Sequence, residues 1–177
     1  MDSYNEKGIP MKPCDITWIS EKEVKFSGVF DEYTSFVETV SKFPDEVWLD
    51  FKEVTRVNSL GVKEWIKAIS KTESRLHYIN CPAIIVDQFN MIPEFLGQNA
   101  TIDSFEVYFV CDHCGHEDSR FFQVGPGKDI DPSNEQYEEL LEITCIRCTE
   151  MMDLDHDPEI YFNFIREMAN DVDDKAG

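Results

Sequence analysis

The apolar pattern of this chain changes period several times, and each change marks an element. Val47, Trp48 and Leu49 form a short apolar run rich in strand formers, which predicts a strand ended by Asp50. After a loop, Val62, Trp65, Ile66 and Ile69 fall at i, i+3, i+4 and i+7, one face of a helix. Asn58 or Ser59 stands where an N-cap belongs, and Gly61 lets the backbone pack closely at the turn. Upstream, residues 14–19 and 21–30 read as two strands, the second broken at Ser27-Gly28. Asp31 and Thr34 are candidate caps for a helix carrying Phe36, Val37, Val40 and Phe43 and closed by Pro44. Downstream, residues 76–80 predict a strand, and Pro82 suits the start of a helix whose pattern breaks near Pro93 and ends at Gly97. Residues 102–110 alternate with Phe105, Val107 and Phe109 on one side and predict a last strand. Strands alternating with helices in this order predict an α/β domain built on a mixed sheet. Trp48 and Trp65 are expected in its core, and His77, within a strand, is expected to be structural.

The pattern then weakens. Residues 121–124 and 140–143 are short strand candidates, and residues 135–141 read as the start of a short helix. Met151 to Pro158 is dominated by aspartates and reads as a solvated acidic loop, since the Gly and Glu of a calcium loop are missing in register. Ile160, Phe164, Ile165 and Met168 predict one amphipathic helix over residues 160–168.

Charge narrows the partners. The chain has 36 acidic and 16 basic residues, a net charge of −20. Residues 1–108 hold 18 acids and 11 bases, and residues 109–177 hold 18 and 5. Nucleic-acid affinity rests largely on Lys and Arg meeting phosphates, so this balance argues against it, and equally against anionic membranes. A protein partner with a basic face is the expectation. No apolar run is long enough to span a membrane and residues 1–11 carry no secretion pattern, so a cytoplasmic location is expected.

Four of the six cysteines form two C-x-x-C pairs, Cys111 with Cys114 and Cys145 with Cys148, thirty residues intervening. In a chain expected to be cytoplasmic, that spacing means metal before disulfides. Two knuckles offering two thiolates each complete a tetrahedral four-sulfur site suited to one structural Zn2+, with no open position for a water. Gly115 follows Cys114 and permits the positive φ that closes such a knuckle. His113 and His116 are expected bystanders, and Cys14 and Cys81 small hydrophobes. The arrangement resembles a zinc ribbon.

The run Asp50 to Val62, DFKEVTRVNSLGV, resembles the signature of STAS domains, the family of anti-sigma factor antagonists. In that family a strand ending in Asp leads to a loop reading roughly Asp-Ser-(Ser/Thr)-Gly-Leu, whose first Ser is phosphorylated by a partner kinase. Here Asn58, Ser59, Leu60, Gly61 and Val62 take those places. Ser59 and Gly61 match, Asn58 replaces the Asp, and Leu60 replaces a small hydroxyl residue. The resemblance implies a STAS-like mixed sheet over residues 12–108, partner binding at Asn58, Ser59, Leu60 and Gly61, phosphorylation at Ser59, and a kinase or sigma-factor regulator as partner. From the residues alone, a serine here is a helix cap or a phosphate-accepting site at a helix N-terminus.

The expected organisation is a tail (1–11), the STAS-like domain (12–108), a zinc-ribbon-like module with a C-terminal helix (109–169) and an acidic tail (170–177). No residues are placed for catalysis: there is no nucleophile beside a His base and no Gly-rich phosphate loop. The sequence therefore predicts a non-enzymatic binding module, and the resemblance to anti-sigma factor antagonists implies a signalling adaptor. A constitutive scaffold subunit without a phospho-switch and a zinc-ribbon nucleic-acid-binding regulator are the alternatives.

Overall fold

A computed structural model describes residues 14–132 and 141–166. It divides into two compact units, residues 1–102 and 103–177. The expected tails, residues 1–11 and 170–177, the helix start over residues 135–140, and Met168 lie outside the described residues.

The first unit is a five-stranded mixed sheet in the order β1-β2-β3-β4-β5. The strands are β1 Asp15–Trp18, β2 Glu23–Phe30, β3 Glu46–Val57, β4 Arg75–Ile79 and β5 Ala100–Ile102. β1 runs antiparallel to β2, and β2 through β5 are parallel. Parallel neighbours need crossovers. Here they are helices α1 Phe36–Val40, α2 Ser59–Ile69 and α3 Ala83–Met91, the last followed by a 3-10 turn, Pro93–Phe95. The core is aromatic. Trp65 of α2 is fully buried among Phe26, Phe30, Phe36, Phe51, Tyr78 and Phe95, with ring centroids 5.5–6.5 Å away. Its indole N–H donates to the Phe95 carbonyl at 3.0 Å, so the one polar atom it buries is satisfied.

Asp50 does not end its strand. β3 continues to Val57 because β2 pairs with it as far as Phe30, with register shifts at Lys25/Ser27 and Gly28/Val29. Those irregularities break the period-two pattern over residues 51–57 and hide the strand in the sequence. Asp50 points away from the helices and accepts from the Lys52 N–H and the Asn80 side chain. Trp48 lies half-buried on that same face rather than in the core, its ring stacked on His77 at 4.6 Å. His77 itself is held by Thr101 and Glu46, a structural role as expected. The cap position of α1 falls on Ser35, which makes no side-chain cap bond. Asp31 instead closes the preceding turn, accepting from Tyr33 N–H and the Thr34 hydroxyl.

The second unit is an antiparallel four-stranded sheet in the order β7-β6-β9-β8. Its strands are β6 Ser104–Val110, β7 Glu117–Gln123, β8 Ile143–Thr144 and β9 Met151–Leu154. The strand predicted over residues 102–110 is therefore two strands in two sheets, and the units divide at Ile102/Asp103 rather than 108/109. The physical reason is where the aromatic face of β6 finds partners. Phe105 packs against Tyr161, Phe162 and Phe164, and Phe109 is buried in the same unit. The segment predicted as an acidic loop holds β9: Met152 is buried between exposed Met151 and Asp153, an alternation masked by the aspartates. The single helix predicted from Ile160 is interrupted. α4 spans Pro158–Tyr161, a turn follows at Phe162, and residues 163–166 are helical again. The turn rotates the buried face, so Tyr161, Phe162, Phe164 and Ile165 go inside while Ile160 is 66% exposed.

Candidate metal centre and candidate phosphorylation loop

The four knuckle cysteines converge. Residues 111–116 join β6 to β7, and residues 145–150 join β8 to β9. β6 and β9 are neighbours in the sheet, with Val110 opposite Asp153, and this pairing carries one knuckle to the other. The two turns repeat one hydrogen-bond pattern. Gly115 N–H donates to Cys111 O at 2.8 Å and Cys111 N–H to His116 O at 2.8 Å. Thr149 N–H donates to Cys145 O at 2.9 Å and Cys145 N–H to Glu150 O at 2.8 Å. All four sulfurs lie within 4.8 Å of one another. The cross-knuckle pairs Cys111–Cys148 and Cys114–Cys145 are 3.4 and 3.6 Å apart.

That geometry fits zinc. Four thiolates at the usual Zn–S distance in a tetrahedron stand about 3.8 Å apart. Cys111 and Cys145 are buried, Cys148 half-buried and Cys114 exposed, so one side of the cluster is open to entry. Burial opposes ionisation of Cys145, yet the Arg147 and Cys148 backbone bonds to its sulfur and the neighbouring thiols bring its pKa down to about 7. At Cys148 a backbone bond favours the thiolate, but burial and the other three sulfurs push it up to about 12. Neither His113 nor His116 belongs to the cluster. Cys14 is pushed up to about 12 by burial, which makes it a poor nucleophile, and Cys81 is fully buried.

The loop before α2 is equally defined. Asn58, extended at φ −110° and ψ 161°, is the N-cap: its Oδ1 accepts from Gly61 N–H at 2.7 Å. Ser59 is the first helical residue rather than the cap, and its side chain is exposed. Leu60 is 51% exposed. Gly61 is buried against the end of β2, where an added Cβ would stand 2.3 Å from the Phe30 carbonyl oxygen. Of the four residues predicted to bind a partner, the fold exposes Asn58, Ser59 and Leu60 and buries Gly61 as a spacer.

Two further residues belong to these sites. Glu32 accepts from the Asn58 side-chain amide at 2.9 Å, and that bond, with its own backbone N–H, holds the Glu32 carboxyl below the usual range. Nothing in the sequence links two residues so far apart. Thr149 takes the position of Gly115 in the second knuckle with φ +64°. Laying CDHCG over CIRCT reveals that equivalence.

No protein-family model, curated protein or solved structure matches the chain. The structure itself shows a mixed-sheet α/β unit followed by an antiparallel unit with a four-cysteine cluster able to hold a metal. Among the described residues, no helix is long and apolar enough to cross a membrane.

Proposed function

We propose that this protein is a non-enzymatic protein-binding adaptor of the STAS kind, with one structural zinc ion held by Cys111, Cys114, Cys145 and Cys148. The observation that carries the reading is the capped start of α2. Asn58 fixes the turn through both side-chain atoms and leaves Ser59 and Leu60 exposed at the positive end of a helix. A groove of about 400 Å³ between α1 and α2, lined by Val37, Glu38, Ser41 and Glu64, lies on the adjoining surface. Exposed Val37 and Leu60 supply apolar contact area, and the carboxylates favour a basic partner. The partner is a kinase or sigma-factor regulator, and a phosphate on Ser59 weakens its contact by adding charge to a desolvated surface.

A second reading, a constitutive scaffold, is favoured by Glu32. Its carboxylate already sits on the Asn58 amide beside Ser59, so a phosphate there meets an existing negative charge. The experiment uses wild-type, Ser59→Asp and Leu60→Asp proteins as baits in the native cell. The switch reading expects one regulator with wild type and its loss with both variants. The scaffold reading expects loss with Leu60→Asp alone. Equal partners on all three baits would remove this surface from the function.

A further inference from the structure

We propose that Thr149 lowers the zinc affinity of the four-cysteine centre, because the second knuckle closes only with a β-branched residue in the left-handed backbone region. The inference rests on the zinc reading above and concerns how tightly the metal is held. The two knuckles share the two backbone bonds that close each turn, including the one in which the residue after the second cysteine donates to the carbonyl of the first, at 2.8 Å from Gly115 and 2.9 Å from Thr149. They differ in who occupies that position. Gly115 takes φ +68° with no Cβ, while Thr149 takes φ +64° with a branched one. Glycine enters this region freely, whereas a β-branched residue there is a genuine outlier.

Among the described residues, nothing else repays Thr149 for that conformation. Its side chain is exposed, and among the described residues its hydroxyl bonds only the adjacent Cys148 carbonyl, at 2.6 Å. Zinc binding to such a module is coupled to closing the knuckles, so a cost of closure appears directly as lost affinity. The first knuckle is ready to receive the metal. The second bears that backbone cost whenever it is closed, so it is the one that opens first when the metal is removed.

The test is a pair of reciprocal substitutions in the full chain. Thr149→Gly removes the branched Cβ and loses no buried contact. Gly115→Ala adds a Cβ that meets nothing within 4 Å, so it imposes only the backbone cost. Zinc content is measured first by elemental analysis, then affinity by competition with a chromogenic chelator and release by excess chelator. Tryptophan emission checks that the first unit stays folded. The expected result is one zinc per chain throughout, with Thr149→Gly binding about three- to tenfold tighter and releasing more slowly, and Gly115→Ala binding about three- to tenfold weaker. If all proteins hold one zinc and Thr149→Gly matches wild type in affinity and release, the assignment of Thr149 is overturned. If fresh wild-type protein holds no zinc, the metal reading falls and this inference with it, a failure already visible in the elemental analysis.

Discussion

Gly61 shows how a single residue fixes the start of α2. Its missing side chain is what lets the helix approach the end of β2, since a Cβ would stand within 2.3–2.7 Å of Phe30 and Asp31 backbone atoms. Those atoms belong to a strand and its turn and have no rotamer to yield. Gly61→Ala is therefore expected to cost at least about 3 kcal/mol, the upper part of the range for overpacking. A fall in the urea midpoint of the first unit measures it. Asn58 acts at the same scale. Asn58→Ala removes an N-cap and should cost about 1 kcal/mol by the same measurement. It also frees Glu32, whose pKa by NMR should rise towards the ordinary carboxyl value. The sign follows from the direction of the shift. A carboxyl held low in the folded state contributes stability above its unfolded pKa and loses it as pH falls through the folded value. The difference between wild type and Asn58→Ala should therefore shrink as the solution is acidified through that range.

At the scale of elements, α2 is held by one residue more than by any other. Trp65 touches aromatic rings from β2, α1, β3, β4 and the 3-10 turn, so it joins elements that local sequence leaves independent. Trp65→Ala should cost about 3–5 kcal/mol, measured as a loss of thermal stability of the first unit. The knuckles are elements of another kind. β8 has two residues and β9 four, too little paired backbone to be stable by itself. A metal bound by the four sulfurs would hold the turns beside them closed. Because thiols must lose protons to bind the cation, zinc affinity should fall as pH falls, read by chelator competition between neutral and mildly acidic pH.

At the scale of the whole molecule, the two units draw on different sources of stability. The first has a continuous aromatic core. Among the described residues, the second has a small sheet, an aromatic cluster on Phe105 and the four-cysteine cluster. All three tryptophans, Trp18, Trp48 and Trp65, lie in the first unit. Removing zinc with a chelator should therefore leave tryptophan emission unchanged while amide signals of residues 103–132 and 141–166 collapse towards random-coil positions. Loss of both together would show that the first unit depends on the metal as well.

What the sequence determined was local. The spacing of Val62, Trp65 and Ile69 marks a helix whatever surrounds it, because helical geometry alone places them on one side. The order of strands and helices up to residue 97 follows from the same reasoning, and two C-x-x-C pairs mark a candidate metal site because two such turns can bring four thiols to one point. What the tertiary structure decided was every choice between partners. β3 runs past Asp50 because β2 supplies hydrogen bonds across two irregular registers. Residues 104–110 leave the first sheet because Phe105 meets the rings of Tyr161, Phe162 and Phe164. The aspartate-rich run becomes a strand because β6 and β8 both accept Met151–Leu154. Glu32 reaches Asn58 only once β2 and β3 lie side by side. Each of these turns on a contact between residues far apart in the chain, and no period or propensity carries that information.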